Sequence, residues 1–257
     1  MKLTCLGSSS SGNCFVMEFD MGEGKPPFSL MVEAGLPYLT IVKRATPYGI
    51  KLSEIGGCLI THCHKDHAIA ASDLAKRGIQ IYATEGTLEA IGLKGNGWPM
   101  HYGRPTQIAD GIKALAFRVT HDAPEPAGFI IKTKKETVIF AIDAMKWEDD
   151  VSDFKPDYIL IEANYDPTLM AQEQFSLQKR ATLNDMQRYR LNERIKRSHM
   201  SITRTMSTLS KLNKSNLTAV FLTHLSDRMS APSVWKTQVT AITGATCFVC
   251  RKDGGIE

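Results

Sequence analysis

The amino-acid sequence predicts an α/β domain in which strands and helices alternate and a polar site lies along one edge of a sheet. Short apolar segments alternate with segments of helical periodicity along the chain, which is typical of layered α/β folds. Histidines and carboxylates follow several of the apolar segments, where such folds place their binding sites. A length of 257 residues suits one large domain, and we expect it to cover residues 1–257.

The composition is that of an ordinary globular protein. Hydrophobic residues make up 43% of the chain and charged residues 23%. No apolar stretch is long enough to cross a bilayer, and the first residues lack the apolar core of a signal peptide. The six cysteines are scattered, so we expect a cytoplasmic protein with no membrane partner. A net charge of +4 is compatible with an anionic substrate but does not establish one.

In the first half of the chain, apolar segments bounded by Gly, Ser and Pro turns predict strands. We expect these strands at residues 2–6, 14–19, 28–32, 57–60 and 79–83. Helix formers at helical spacing predict helices at residues 37–45, 68–76 and 84–91. Residues 92–105 are dense in Gly, Pro and aromatic side chains, and we expect a loop in which His101 is a surface or packing residue.

The second half repeats the alternation of strands and helices. Apolar runs predict strands at residues 112–120, 128–132, 137–142, 158–162, 217–222 and 246–250. Helical patterns are expected at residues 167–197, 201–212 and 233–242. The basic run at residues 188–197 is interpreted first as a solvated helix face, with a role in binding a polyanion as the alternative.

The chain is organised around the stretch of residues 61–67, Thr-His-Cys-His-Lys-Asp-His, between a predicted strand and a predicted helix. Side chains two apart in an extended segment point the same way, so His62 and His64 should face one side together. The turn that follows lets Asp66 and His67 approach the same space. Nitrogen and oxygen donors clustered in this way are typical ligands of zinc, manganese or iron. A metal site is therefore favoured over a polar loop that is merely exposed to solvent.

Three further candidate ligands stand at the ends of later predicted strands, namely His121, Asp143 and His224. Seven donors are too many for one tetrahedral ion. They suffice for two ions about 3.5–4 Å apart that share a carboxylate and a water. We therefore expect two divalent metal ions per chain, zinc or manganese, with iron or nickel as alternatives.

The HxHxDH stretch, followed by a later His, a later Asp and a final His, resembles the metallo-β-lactamase fold family. This resemblance extends from the first predicted strand to Cys250. It implies a four-layer αββα sandwich with a dinuclear site at the sheet edges. It also implies how the ligands divide between the metals. One metal is held by His62, His64 and His121, and the other by Asp66, His67 and His224. The two metals are bridged by Asp143.

The segments LGSSSSGNC, VTHDAPEPAGF, IEANYD and THLSDR resemble the YycJ-like branch of that family, which is associated with DNA exonuclease activity. Residues 198–201 and 161–164 also resemble elements of ribonuclease Z. The chain departs from the family pattern at Glu33, since the family usually has Asp before Ala-Gly at this place.

The resemblance implies a metal-dependent hydrolase, and our first hypothesis is a phosphodiesterase or exonuclease-like nuclease. Two metals would lower the pKa of a bridging water, and the resulting hydroxide would attack phosphorus in line. Asp66 would orient the hydroxide, His199 would protonate the leaving oxygen, and Glu162 would fix the His199 ring. The alternatives are a metal-dependent hydrolase of a small ester, thioester, lactam or cyclic phosphodiester, and a non-hydrolytic redox or binding protein.

The expected substrate is a nucleic acid or a nucleotide phosphodiester. The serine- and glycine-rich turn at residues 7–13 can present backbone N–H groups to an anion, or it can be a plain hairpin connection. Within this turn and the segments that carry the resemblance, we predict five substrate-binding residues: Ser10, Asn13, Asn164, Ser201 and Ser226.

Overall fold

Two β-sheets pack face to face in the structure, a computed structural model that describes residues 1–180 and 182–257. The first sheet has six strands in the order β1-β2-β3-β4-β5-β6. They are β1 Lys2–Gly7, β2 Cys14–Phe19, β3 Phe28–Val32, β4 Ile55–Leu59, β5 Ile81–Thr84 and β6 Trp98–Met100. The first two pairings are antiparallel, and those from β3 to β6 are parallel.

The second sheet has eight strands in the order β11-β8-β9-β10-β12-β13-β14, with β7 paired to β8. Their bounds are β7 Pro105–Ala109, β8 Ile112–Thr120, β9 Ala127–Lys132, β10 Thr137–Ala141, β11 Lys146–Trp147, β12 Tyr158–Glu162, β13 Ala219–Thr223 and β14 Thr246–Val249. The strands β10, β12, β13 and β14 are parallel, so their carboxyl ends meet at one edge.

In the described part of the chain, eight α-helices flank the sheets or connect their strands. They are α1 Tyr38–Ala45, α2 Lys65–Ala68, α3 Ala71–Ala75, α4 Glu85–Ala90, α5 Pro167–Arg180, α6 Leu183–Ser198, α7 Ile202–Lys211 and α8 Pro232–Thr243. Among the helices that the structure describes, none has both the length and the apolar character needed to span a bilayer.

The layering follows from strands that are apolar on both faces. In β2, Phe15 and Met17 point into the core between the two sheets, whereas Cys14 and Val16 point toward α1 and α3. Such continuous apolar runs are expected when both faces of a sheet are covered. On the far side, α7 and α8 cover the second sheet through a separate cluster that includes Trp235. The resulting order is helices, sheet, sheet, helices, which confirms the predicted four-layer αββα sandwich.

Most predicted elements lie within a few residues of their observed positions, but the predicted loop at residues 92–105 was wrong in part. It contains β6, which pairs with β5, and its end begins β7, which pairs with β8. These short strands exist because distant partners complete their hydrogen bonds, and no local periodicity indicates them.

Two predicted helices are interrupted in the structure. The helix expected at residues 68–76 is split into α2 and α3, because the amide of Ala70 donates to the carbonyl of Ala34. The region at residues 167–197 forms α5 and α6, and Thr182 and Asp185 form a capping box that begins the second of these helices.

Candidate metal centre

The loop after β4 carries the first group of candidate ligands. The strand ends at Leu59, so His62 and His64 do not share a face by strand alternation as predicted. They nevertheless converge, because the chain turns into α2 and brings their ring centroids to 4.7 Å. Thr61 Oγ1 lies 2.9 Å from His62 Nδ1 and fixes the orientation of that ring.

His121 completes a three-histidine cluster with His62 and His64, in which the candidate donor atoms lie within 4.8 Å of one another. It follows β8, and its Nδ1 donates to the carbonyl of Ser198 at 3.0 Å. Burial lowers the pKa of His62 well below its ordinary value, and the neighbouring His67 and His121 add to this effect. The neutral imidazole that results is the form that binds a metal ion.

The second cluster contains Asp66, His67, Asp143 and His224. Nε2 of His67 lies 3.2 Å from Oδ2 of Asp143 and 3.5 Å from Oδ2 of Asp66. Nδ1 of His224 lies 3.0 Å from the other carboxylate oxygen of Asp143. Oδ2 of Asp143 is also 4.0 Å from Nε2 of His121, so this carboxylate lies between the two clusters.

The residues present fit divalent metal ions. Nε2 of His62 and Nε2 of His224 are buried and have no hydrogen-bond partner in the described part of the chain. Buried polar atoms are almost always satisfied in native proteins, and a metal ion would satisfy both of these nitrogens. Mixed imidazole and carboxylate donors suit zinc and manganese. Six of the seven histidines belong to these clusters or lie against them, and only His101 stands apart, exposed.

Glu33 supports the second cluster, and the sequence indicated it only as a departure from the family pattern. It is fully buried after β3, its Oε1 lies 3.5 Å from Nδ1 of His67, and its other oxygen accepts from the amide of Thr61. Burial lowers the pKa of His67, but the carboxylates of Asp143 and Glu33 outweigh it and the net pKa is raised. The sequence feature that could have indicated this role is the position of Glu33 directly after an apolar predicted strand.

His199 and Glu162 form a pair beside the second cluster. His199 follows α6, and its Nδ1 lies 2.7 Å from Oε1 of Glu162, the last residue of β12. The other oxygen of Glu162 accepts from the amides of Ala144 and Met200. Burial lowers the pKa of His199, but Glu162 and Asp143 outweigh it, so the net pKa is raised.

A cavity of about 680 Å³ opens onto both clusters and onto His199. Of the five predicted substrate-binding residues, Ser10, Asn164 and Ser226 line this cavity. Asn164 also donates through Nδ2 to the carbonyl of His224 at 2.8 Å.

The other two residues predicted to bind substrate, Asn13 and Ser201, do not line this cavity. Asn13 is fully buried, and its Nδ2 lies 3.1 Å from Nε2 of His67 and donates to the carbonyl of Ser9. Ser201 is buried at the start of α7, where its hydroxyl accepts from the amide of Arg204. Both side chains are used to position backbone and ligands.

Four cations line the cavity wall, namely Arg44, Arg194, Arg228 and Lys252. Of these, only Arg194 belongs to the basic run for which the sequence offered polyanion binding as an alternative. Each of the four has a carboxylate partner. The partners are Asp253, Asp122, Glu173 and Asp227, in the same order. Exposed ion pairs contribute little stability, so these cations can exchange a carboxylate for an anionic ligand at small cost.

Comparisons with known proteins agree with this architecture. A family model described as a beta-lactamase superfamily domain matches residues 37–225. The exodeoxyribonuclease WalJ of Streptococcus pneumoniae serotype 2 is 27% identical over 197 residues, which cover 72% of this chain and 71% of WalJ. The exodeoxyribonuclease YycJ of Bacillus anthracis is 26% identical over 132 residues, which cover 49% of this chain and 48% of YycJ.

Among solved structures, the metallo-beta-lactamase fold protein YhfI from Bacillus subtilis superposes with a TM-score of 0.68 at 14% sequence identity. The superposition covers 99% of this chain and 97% of YhfI. The predicted resemblance and fold are thereby confirmed. Because the family model matches most of the chain, the protein belongs to the beta-lactamase superfamily of domains and is a metal-dependent hydrolase with the metallo-β-lactamase fold.

Proposed function

We propose that the protein is a dinuclear metal-dependent phosphodiesterase that cleaves DNA. The observation that carries this proposal is the meeting of two ligand clusters and the separately held imidazole of His199 at one cavity. Ligands alone would serve any hydrolase of the family. A positioned proton donor beside them suits a reaction whose leaving group is a poor one, such as the alkoxide of a nucleotide.

The ligand roles in this proposal follow the two clusters. His62, His64 and His121 would hold one ion, whereas Asp66, His67 and His224 would hold the other, with Asp143 shared. When bound, the two ions make water more acidic and offset negative charge that develops on the phosphate.

Asp66, His199 and Glu162 perform the proton chemistry in this proposal. The Asp66 carboxylate is partly exposed, and one of its oxygens can accept a hydrogen bond from the attacking water. Glu162 holds Nδ1 of His199, so Nε2 is free to donate a proton to the leaving oxygen. Glu162 is itself fixed by two backbone amides, which keeps the His199 ring in one orientation.

A polyanionic substrate is supported by the cavity wall. The four cations on that wall can bind phosphates, and Ser10, Asn164 and Ser226 add neutral donors. DNA is proposed because two relatives carry the name exodeoxyribonuclease. The six cysteines are free, which supports a reducing compartment such as the cytoplasm.

The test compares three substrates in parallel, with manganese-loaded and zinc-loaded protein. They are bis-p-nitrophenyl phosphate, 5′-labelled DNA and a thioester. We expect metal-dependent release of p-nitrophenolate and shortening of the DNA, with both abolished by a chelator and restored by metal. Turnover of the thioester with intact DNA would instead assign the protein to the small-molecule hydrolases of the family. Asp143→Ala protein serves as the control for contaminating nucleases.

A further inference from the structure

The wall of the cavity formed by α6 continues beyond the metal centre. Its inner end is held at the site, because Ser198 accepts from His121 and His199 follows the helix directly. Further out, Leu191 and Arg194 also line the cavity. The helix is therefore a fixed wall that leads away from the reacting groups toward solvent.

The basic run on α6 divides into two faces. Arg188 lies 3.2 Å from Glu173 on α5, and Lys196 donates to Gln174 on the same helix, so these cations hold the two helices together. Arg194 faces the cavity instead, with 63% of its side chain exposed. The interpretation of the whole run as one solvated face is therefore too simple.

The outer part of the wall combines charge with an exposed apolar side chain. Leu191 is 47% exposed and lies one turn from Arg194. Arg190 is exposed one turn outward from Arg194 on the same flank of the helix. Cations that track a backbone beside apolar surface for sugars and bases are typical of nucleic-acid channels.

We propose that Arg190, Leu191 and Arg194 bind the polynucleotide strand beyond the bond that is cut. The substrate would then be a polymer and not a mononucleotide or a cyclic phosphodiester. This inference rests on the proposed function and adds to it the substrate length that the site recognises.

The size of the binding wall gives the expected length. From Ser198 to Arg190 the helix rises about 12 Å, at about 1.5 Å per residue. Phosphates of one strand of B-form DNA are spaced about 3.4 Å along the axis, so the wall can follow about three or four nucleotides. Substrates longer than this should gain nothing further from α6.

The experiment measures KM for oligonucleotides from two to sixteen residues with the variant Arg190→Gln/Arg194→Gln. We expect KM to rise roughly tenfold for the longer substrates, as two lost exposed phosphate contacts would cause, and much less for the dinucleotide. In the His199→Ala background, which binds without efficient cleavage, the salt dependence of affinity should weaken. The slope of log Kobs against log salt should fall by about 1.4 for a single strand.

The matched control is Lys113→Gln/Lys132→Gln, which removes the same charge. These exposed lysines face each other on β8 and β9, at the end of the sheet away from His121. An equal loss in this control, or a loss independent of substrate length, would overturn the assignment of the wall. Failure of the wild-type protein to cleave any phosphodiester would refute the proposed function instead, and the salt slopes would still report on α6.

Discussion

Replacing His199 with alanine should separate chemistry from metal binding. The two ligand clusters are complete without His199, which belongs to a third group of possible ligands with Asp143, Glu162 and His224. Its Nδ1 lies 2.7 Å from Glu162. Loss of a general acid typically lowers the rate by about 10²- to 10⁴-fold. That range corresponds to about 2.7–5.4 kcal/mol of transition-state stabilisation.

The fold should survive this substitution because Glu162 keeps other partners. The amides of Ala144 and Met200 still donate to it, at 2.9 and 3.1 Å. The cost in unfolding free energy should therefore be about 1.5–3 kcal/mol, as for a lost hydrogen bond to a charged group. It should stay below the roughly 3–5 kcal/mol that an unpaired buried charge costs.

The assay compares DNA with bis-p-nitrophenyl phosphate at equal metal occupancy. The p-nitrophenolate leaving group needs little protonation, so its release should lose much less rate than DNA cleavage does. His101→Ala, at the exposed histidine outside the site, is the control and should behave as wild type. Equal losses on both substrates would indicate that His199 positions substrate, and reduced metal content would make it a ligand. Either result would refute its role as the acid.

Three further predictions concern the metal centre. Elemental analysis should find two ions per chain. Asp143→Ala should weaken the binding of both ions, because its carboxylate lies between the clusters, whereas His121→Ala should weaken the binding of mainly one. Gly35→Ala should lower both metal affinity and Tm, because the added Cβ would lie 1.7 Å from the carbonyl oxygen of Asp66. Unchanged values would contradict the close approach of the Gly35 and Asp66 backbones. Chelation should lower Tm measured by calorimetry, because each ion at a hundred times its Kd adds about 2.7 kcal/mol to the free energy of unfolding. A Tm that the chelator leaves unchanged would contradict the prediction that the ions bind the folded state and not the unfolded chain.

The sequence predicted those parts of the site that depend on local spacing or on the ends of strands. Four candidate ligands lie within six residues of one another in the sequence, so the prediction that they converge needed no knowledge of the fold. They are His62, His64, Asp66 and His67. The cavity wall could not be predicted in this way. Arg44 is placed by its bonds to the carbonyls of Leu6 and Lys252, and such contacts between distant segments leave no periodic signal.

Glu33 also depends on a feature that sequence periodicity does not show, namely a backbone with positive φ. Among residues 1–180 and 182–257, four non-glycine residues have positive φ. Three of them, Glu33, Asp143 and His224, lie at the metal clusters. Each follows an apolar strand and costs of order 1–3 kcal/mol in backbone strain. A regular extended backbone would send these side chains along the alternating faces of the sheets and into the apolar core. The left-handed turn redirects them to the sheet edge, where they meet His67. Strained backbone at the ends of three strands thus places polar side chains at the edge of two sheets whose interiors are apolar.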